Sequence, residues 1–180
     1  MMAAADEFEI TVTGKGGHAA RPHDCIDTAL VASHIVIALQ SIVSRNVDPL
    51  QQAVVSVCTI STDSTAHNVI PQVVNLCGTV RTLDPKVQDF VEERLKQVAT
   101  GTAATFGAAA EVTFSRGYPV TVNARDQTAF AAEAARKVAG LVEDDIAPVM
   151  GAEDFSFMLN ERPGAYIFMG IGDGPAWHTP

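Results

Sequence analysis

His18 stands in the run GGHAA at 16–20, flanked on both sides by residues too small to crowd an imidazole. An imidazole held open in this way can donate to a developing oxyanion or bind a metal, although a solvated loop histidine fits the same local sequence. Fifty positions later comes Asn68, followed by Val69-Ile70-Pro71. The proline restricts Ile70 to extended geometry, so the Asn68 amide sits on a stiff approach, able to orient a carbonyl or simply to cap a turn. Arg81 lies where odd-numbered positions run Val73, Asn75, Cys77 and Thr79, the more polar side of a strand. Its guanidinium fork suits a carboxylate ligand or a solvated edge. Glu153 and Asp154 are adjacent acids, which cannot face one another as a general acid–base pair in an extended segment. They would also stabilise the first turn of a helix over Phe155-Ser156-Phe157. His178 follows an apolar run and a Gly-Asp-Gly-Pro turn, where a ligand would project from a sheet's end; one histidine alone falls short of the three or four ligands a metal takes. His23, His34 and His67 read as structural.

The elements that must position these groups follow from periodicity. Residues 7–13 (EFEITVT) alternate Phe8, Ile10 and Val12 against polar neighbours, the mark of a half-buried strand. Asp27 caps a helix over 27–43, in which Leu30, Val31, Ile35, Ala38, Leu39 and Ile42 recur at three- and four-residue steps. Strands follow at 53–60 and 72–82. Asp84 before Pro85 opens a second helix that ends near Phe106-Gly107, and 111–115 is a fourth strand. The order β-α-β-β-α-β predicts an α+β ferredoxin-like domain, four antiparallel strands with two helices on one face. Beyond residue 116 the character changes. A helix over 126–139 and a buried strand in AYIFMGIG (165–172) are too little to enclose a core of their own, so this segment is expected to belong to an incomplete α/β domain.

The 180 residues carry 12 Lys+Arg against 21 Asp+Glu, a net charge of −9, with no basic run. That balance argues against nucleic-acid and anionic-membrane partners, and no run of about 20 apolar residues is present. Three cysteines without a CxxC make a zinc ribbon or disulfide framework a poor fit and suit a reducing, cytoplasmic setting.

Five motifs occur in order: GKGGHAARPH, NVIP, GTVRTLD, GAEDFSFML and a terminal WHTP. Together they resemble the metal-dependent amidohydrolases of the hippurate hydrolase, carboxypeptidase G, aminoacylase and indole-acetyl-amino-acid hydrolase type. The resemblance implies a hinge over 1–5, a lid or dimerisation domain over 6–115, and a return into the catalytic domain over 116–180. It implies hydrolysis of the amide bond of N-acyl amino acids, hippurate-like substrates included, by an intact parent protein. Two divalent metal ions (zinc, manganese, cobalt or nickel) would serve that parent, with a homodimer formed through the lid. His18 would reach the partner subunit's site and polarise the scissile carbonyl. Asn68 and Arg81 would bind substrate, Arg81 through its carboxylate, and Glu153 would lie near the pocket. His178 would be a metal ligand. The remaining ligands and the general-base glutamate would lie upstream of residue 1, so this chain alone is expected to bind no metal tightly and to be inactive.

Two other readings stay open. A stand-alone ferredoxin-like dimerisation or small-ligand-binding module would explain the first 115 residues without chemistry but leave 116–180 without a purpose. An RNA-binding version of the fold would need aromatic and basic residues on its sheet face, and the strands offer few of either.

Overall fold

The computed structural model describes residues 1–170. The elements are β1 (Ala4–Thr13), a two-residue β2 (Gly17–His18), α1 (Thr28–Ser41), β3 (Ala53–Thr62), a two-residue β4 (Val69–Ile70), β5 (Val73–Thr82), α2 (Pro85–Thr105), β6 (Ala109–Tyr118), α3 (Arg125–Arg136) and α4 (Phe155–Glu161). The four long strands form one antiparallel sheet in the order β3-β5-β1-β6. With α1 and α2 between them, this is the β-α-β-β-α-β succession that the hydrophobic periods predict.

Alternation decides which face is covered. β1 buries Phe8, Ile10 and Val12, and β5 buries Val74, Leu76 and Val80. Against them pack Val31, Ile35 and Leu39 of α1 and Val91, Leu95 and Ala99 of α2. Burial of each large aliphatic side chain is worth about 1.5–3 kcal/mol, which is what holds the helices to the sheet. The odd positions, Glu7, Glu9 and Thr11 on β1 and Asn75, Cys77, Thr79 and Arg81 on β5, leave the opposite face open. Both helices begin where their acids lie: the Asp27 carboxylate accepts from Ala29 and Leu30 N–H at 3.0 and 3.1 Å, and that of Asp84 from Lys86 and Val87 at 2.7 and 3.4 Å. A π-helical turn at Ile42–Asn46 continues α1. Over Thr28–Asn46 this segment is long and apolar enough to cross a membrane, a length the sequence reading passed over. Its buried stripe packed on the sheet makes it a core helix.

Register breaks at two places. In β3 the pairing steps from Val57↔Gly78 to Thr59↔Cys77, leaving Cys58 as a bulge. In β1 it shifts between Ala5 and Asp6 against Tyr118 and Arg116 of β6. Gly117 is the extra residue there, and a Cβ on it would lie 2.4 Å from the Ala5 carbonyl oxygen. At this end, Met2 N and Thr121 N each donate to the other's carbonyl at 3.0 Å, and Ala3 N donates to Gly151 O at 2.9 Å. The chain's entry and exit therefore run side by side. Asp6 is fully buried beside them, accepting from Gln88 Nε2 at 3.0 and 2.8 Å and from Gly117 N at 3.2 Å.

Residues 119–170 are thinly packed: Ala132 is the only buried apolar side chain among them. α3 starts at Arg125, so Asp126 sits in its first turn, and it ends at Arg136, three residues before the expected end. Val138 and Leu141 beyond it are 91% and 79% exposed, so no packing rewards a longer helix. The expected strand at 165–172 does not form over its described part, 165–170. Its backbone is held by a side chain instead of a neighbouring strand: Asn123 Nδ2 donates to Tyr166 O at 2.8 Å, and Tyr166 N donates to Asn123 Oδ1 at 2.9 Å.

Candidate functional site

β1 ends at Thr13, and the loop that leaves it is tied to the approach of β5 by Gly14 N donating to Gln72 O at 3.0 Å. From there Gly17 and His18 pair with Ile70 and Val69, and Ala19 N donates to Asn68 O at 2.9 Å. Small residues make the pairing possible: a Cβ on Gly17 would sit 2.6 Å from Cys25 Sγ. The two motifs, 50 residues apart in sequence, thus become neighbours at one end of the sheet, with His18 and Asn68 both exposed.

The ring of His18 is oriented by its own loop. Ala20 N–H donates to Nδ1 at 3.1 Å. With Nδ1 acting as acceptor, a neutral imidazole carries its proton on Nε2. The free ring edge is then a hydrogen-bond donor, the state needed to stabilise negative charge on a carbonyl oxygen.

Arg81 lies elsewhere. It is on the open face, as its position on the polar side of β5 predicts, paired with Ala5 on one side and Val54 on the other. Eight residues of extended strand separate it from Val73, about 26 Å at strand rise. Its Nη1 donates to the Val80 carbonyl at 3.0 Å and to the Thr79 hydroxyl. Glu153 lies toward this same end, two residues after Gly151, whose carbonyl accepts from Ala3 N. Its carboxylate accepts from the Tyr166 hydroxyl at 2.9 Å and from Asp154 N at 3.2 Å. The Tyr166 bond is the main cause holding the Glu153 carboxyl below its ordinary range, while the hydrogen bond to Glu153 pushes Asp154 upward and raises the Tyr166 hydroxyl. Asp154 occupies the cap position directly before α4, the helix N-terminus that the adjacent acids suggest, although its side chain accepts no capping hydrogen bond. Tyr166 and Asn123 were hidden in the sequence, because Tyr166 lies in a run that reads as apolar strand.

Four of the five candidates therefore separate into His18 with Asn68 at one end and Arg81 with Glu153 toward the other. His178 lies outside the described residues. Among the described residues no group of three or more His, Cys, Asp and Glu side chains could hold a metal ion. Of the histidines read as structural, His23 is exposed beside Asp24, and the His34 ring lies 4.6 Å from that of Phe106.

Residues 6–180 match the peptidase family M20/M25/M40. The chain belongs to this family. Among its M20 relatives, the N-acetyl-L-cysteine deacetylase of Bacillus subtilis (strain 168) is 42% identical over 180 residues, all of this chain and 43% of that protein. Thermostable carboxypeptidase 2 of Saccharolobus solfataricus is 37% identical over 171 residues, 94% of this chain and 43% of the relative. The crystal structure of the Bacillus subtilis YXEP protein, described as a dinuclear metal binding peptidase from the M20 family, superposes with a TM-score of 0.74 at 32% identity, covering 99% of this chain and 44% of that one. The chain spans less than half the length of the curated relatives it matches.

Proposed function

We propose that this chain supplies the lid and part of the catalytic domain of a metal-dependent M20 amidohydrolase that cleaves the amide bond of N-acyl amino acids, hippurate-like substrates among them. The observation that carries this reading is the His18 ring, whose Nδ1 accepts from Ala20 N–H and leaves Nε2–H as a donor. It is held beside Asn68 at the tip of a rigid sheet. The names of the relatives point the same way, since an N-acetyl amino acid and a carboxypeptidase substrate both place an amide next to a free carboxylate. In that role His18 donates to the carbonyl oxygen as negative charge develops, Asn68 orients the acyl amide, and Arg81 pairs with the carboxylate.

The separation of the two ends makes a further demand. Arg81 and the end that carries His18 and Asn68 lie at opposite ends of β5, about 26 Å at strand rise, too far to grip one small substrate together. A second copy resolves this by presenting its His18 and Asn68 to a site built around the first copy's Arg81. The surface for such a homodimer is the edge strand β3, exposed over Cys58–Thr62, beside an apolar stripe of α1 in which Leu30 and Ile37 are 50% and 69% exposed. The sheet order supports the ferredoxin-like lid over 6–115, and the adjoining backbones at Ala3–Asp6 and Gly117–Thr121 support hinges between it and 116–180. Closure about those hinges would exclude water from the site. The exposed apolar side chains of 119–170 support a larger domain around that segment.

The described residues do not by themselves fit a dinuclear metal centre. The two divalent ions (zinc, manganese, cobalt or nickel) are assigned to ligands outside them, His178 being one. Hydrolysis of hippurate, N-acetylcysteine and a panel of N-acyl amino acids tests the reading, comparing this 180-residue chain with the full-length protein that carries it. With each metal supplied, the full-length protein is expected to hydrolyse the panel and the chain alone to be inactive. Turnover by the chain alone, or none by the full-length protein, overturns the proposal.

A further inference from the structure

The open face of the sheet holds a depression of about 410 Å³ that none of the proposed catalytic groups lines. Among its lining residues are Glu7, Glu9, Cys58, Cys77 and Thr79. Both thiols reach it because of the β3 bulge. Val55 and Val57 pair with Val80 and Gly78 on the helix side, and Thr59 pairs with Cys77 on the open side. The extra residue, Cys58, therefore joins Thr59 opposite Cys77, as two residues of a bulge oppose one on the neighbouring strand. Without the bulge Cys58 would be one residue out of step and face the other way.

A disulfide spans roughly 4.4–6.8 Å between Cα atoms; Thr59 is registered opposite Cys77 at the about 4.5–5.5 Å of opposed residues, and Cys58 adjoins Thr59 in the bulge. Both thiols are free, and Cys58 is exposed while Cys77 is half-buried. The only hydrogen bond of Cys58 Sγ is a weak one to Ser56 O at 3.7 Å.

We infer that Cys58 and Cys77 form a cross-strand dithiol site on the open face that reacts with small disulfides and closes into a disulfide. The Cys58 thiolate attacks one sulfur of the small disulfide and expels one thiolate. Cys77, as thiolate, then attacks Cys58 Sγ in the mixed disulfide and expels the second. The two cysteine protons end on the two released thiols, and the two electrons lost by the cysteines reduce the small disulfide. The new bond closes the base of segment 59–76, which carries Asn68 and β4. It leaves the outward backbone groups of β3 unaltered.

The test is incubation of the native chain with glutathione disulfide, followed by acid quench, alkylation and tryptic mapping. The tryptic peptide 46–81 holds both cysteines and no other, so Cys25 reports separately. The expected result is loss of two of the three alkylatable thiols, both from peptide 46–81, with that peptide lighter by two hydrogens and Cys25 still alkylated. In Cys77→Ser the same treatment should leave Cys58 as a glutathione adduct with no internal crosslink, and a far-UV spectrum checks that this variant keeps its sheet. Glutathione adducts on both cysteines of the wild-type peptide, two thiols that stay alkylatable, or a crosslink through Cys25 would each overturn the inference.

Discussion

Asp6→Ala removes a buried acceptor at the end of the sheet where the chain enters and leaves it. The Asp6 side chain is fully buried, and its oxygens receive Gln88 Nε2 at 3.0 and 2.8 Å and Gly117 N at 3.2 Å. Alanine leaves the Gly117 N–H and the Gln88 amide without that acceptor. A buried donor left unpaired costs about 1–3 kcal/mol, and here Gly117 is exposed and Gln88 half-buried, so water takes up part of that loss. Removing a buried carboxylate that has only neutral partners offsets part of this, because the charge no longer has to be desolvated. The expected net loss is about 1 kcal/mol, a fall in Tm of about 2–4 °C for a chain of this size. Asp6→Asn keeps an acceptor for Gly117 N and sheds the charge, so it should lose less than half as much. Urea unfolding at constant m value measures both, and amide exchange at Gly117 should accelerate in the alanine variant. An alanine variant within about 0.5 kcal/mol of wild type would refute the assignment of Asp6 as the acceptor for Gln88 and Gly117.

Other perturbations follow from the same contacts. Tyr166→Phe should return the Glu153 carboxyl upward toward its ordinary value, because the Tyr166 hydroxyl is the main cause holding it down; an NMR titration that shows no change contradicts the hydrogen bond. Glu92 is held below 4.5, first by Lys96 at 2.6 Å and also by Arg116 at 2.7 Å. Its contribution is therefore present above its unfolded pKa and lost as pH falls through the lower folded value. Glu92→Gln should cost about 0.5–1 kcal/mol at pH 7 and nothing at pH 2, and an equal loss at both would contradict the ion pairs. Ile37→Asp, on the exposed stripe of α1, should convert a dimer of the full-length protein to monomer in analytical ultracentrifugation without lowering the free energy of unfolding by more than about 0.5 kcal/mol. A dimer that survives this change does not use that stripe.

The elements of the four-stranded sheet and its two helices were legible because each rests on a local rule. Asp27 and Asp84 sit directly before apolar helical repeats, and the structure uses both as caps. Phe8, Ile10 and Val12 alternate, and they lie in the core. The polar face of Arg81 followed from parity alone. What stayed hidden depends on tertiary contact. Gly17–His18 and Val69–Ile70 are too short for any period, so nothing local announces that His18 and Asn68 meet. In β3 the spacing Val55, Val57, Ile60 departs from strict alternation, the one trace of the bulge at Cys58. The apolar run at 165–172 reads as strand, but over 165–170 the Asn123 side chain takes the place of a pairing strand. The separation of Arg81 from His18 could not be read locally either, since it requires knowing that β5 runs straight between them.

The most direct test of the proposed chemistry is kcat for an N-acyl amino acid in the full-length protein with His18→Ala. His18 is exposed, so the substitution should leave Tm unchanged. Loss of a donor to the developing oxyanion predicts a fall in kcat of about 10²–10³-fold with KM little altered. A kcat equal to that of wild type would contradict the account.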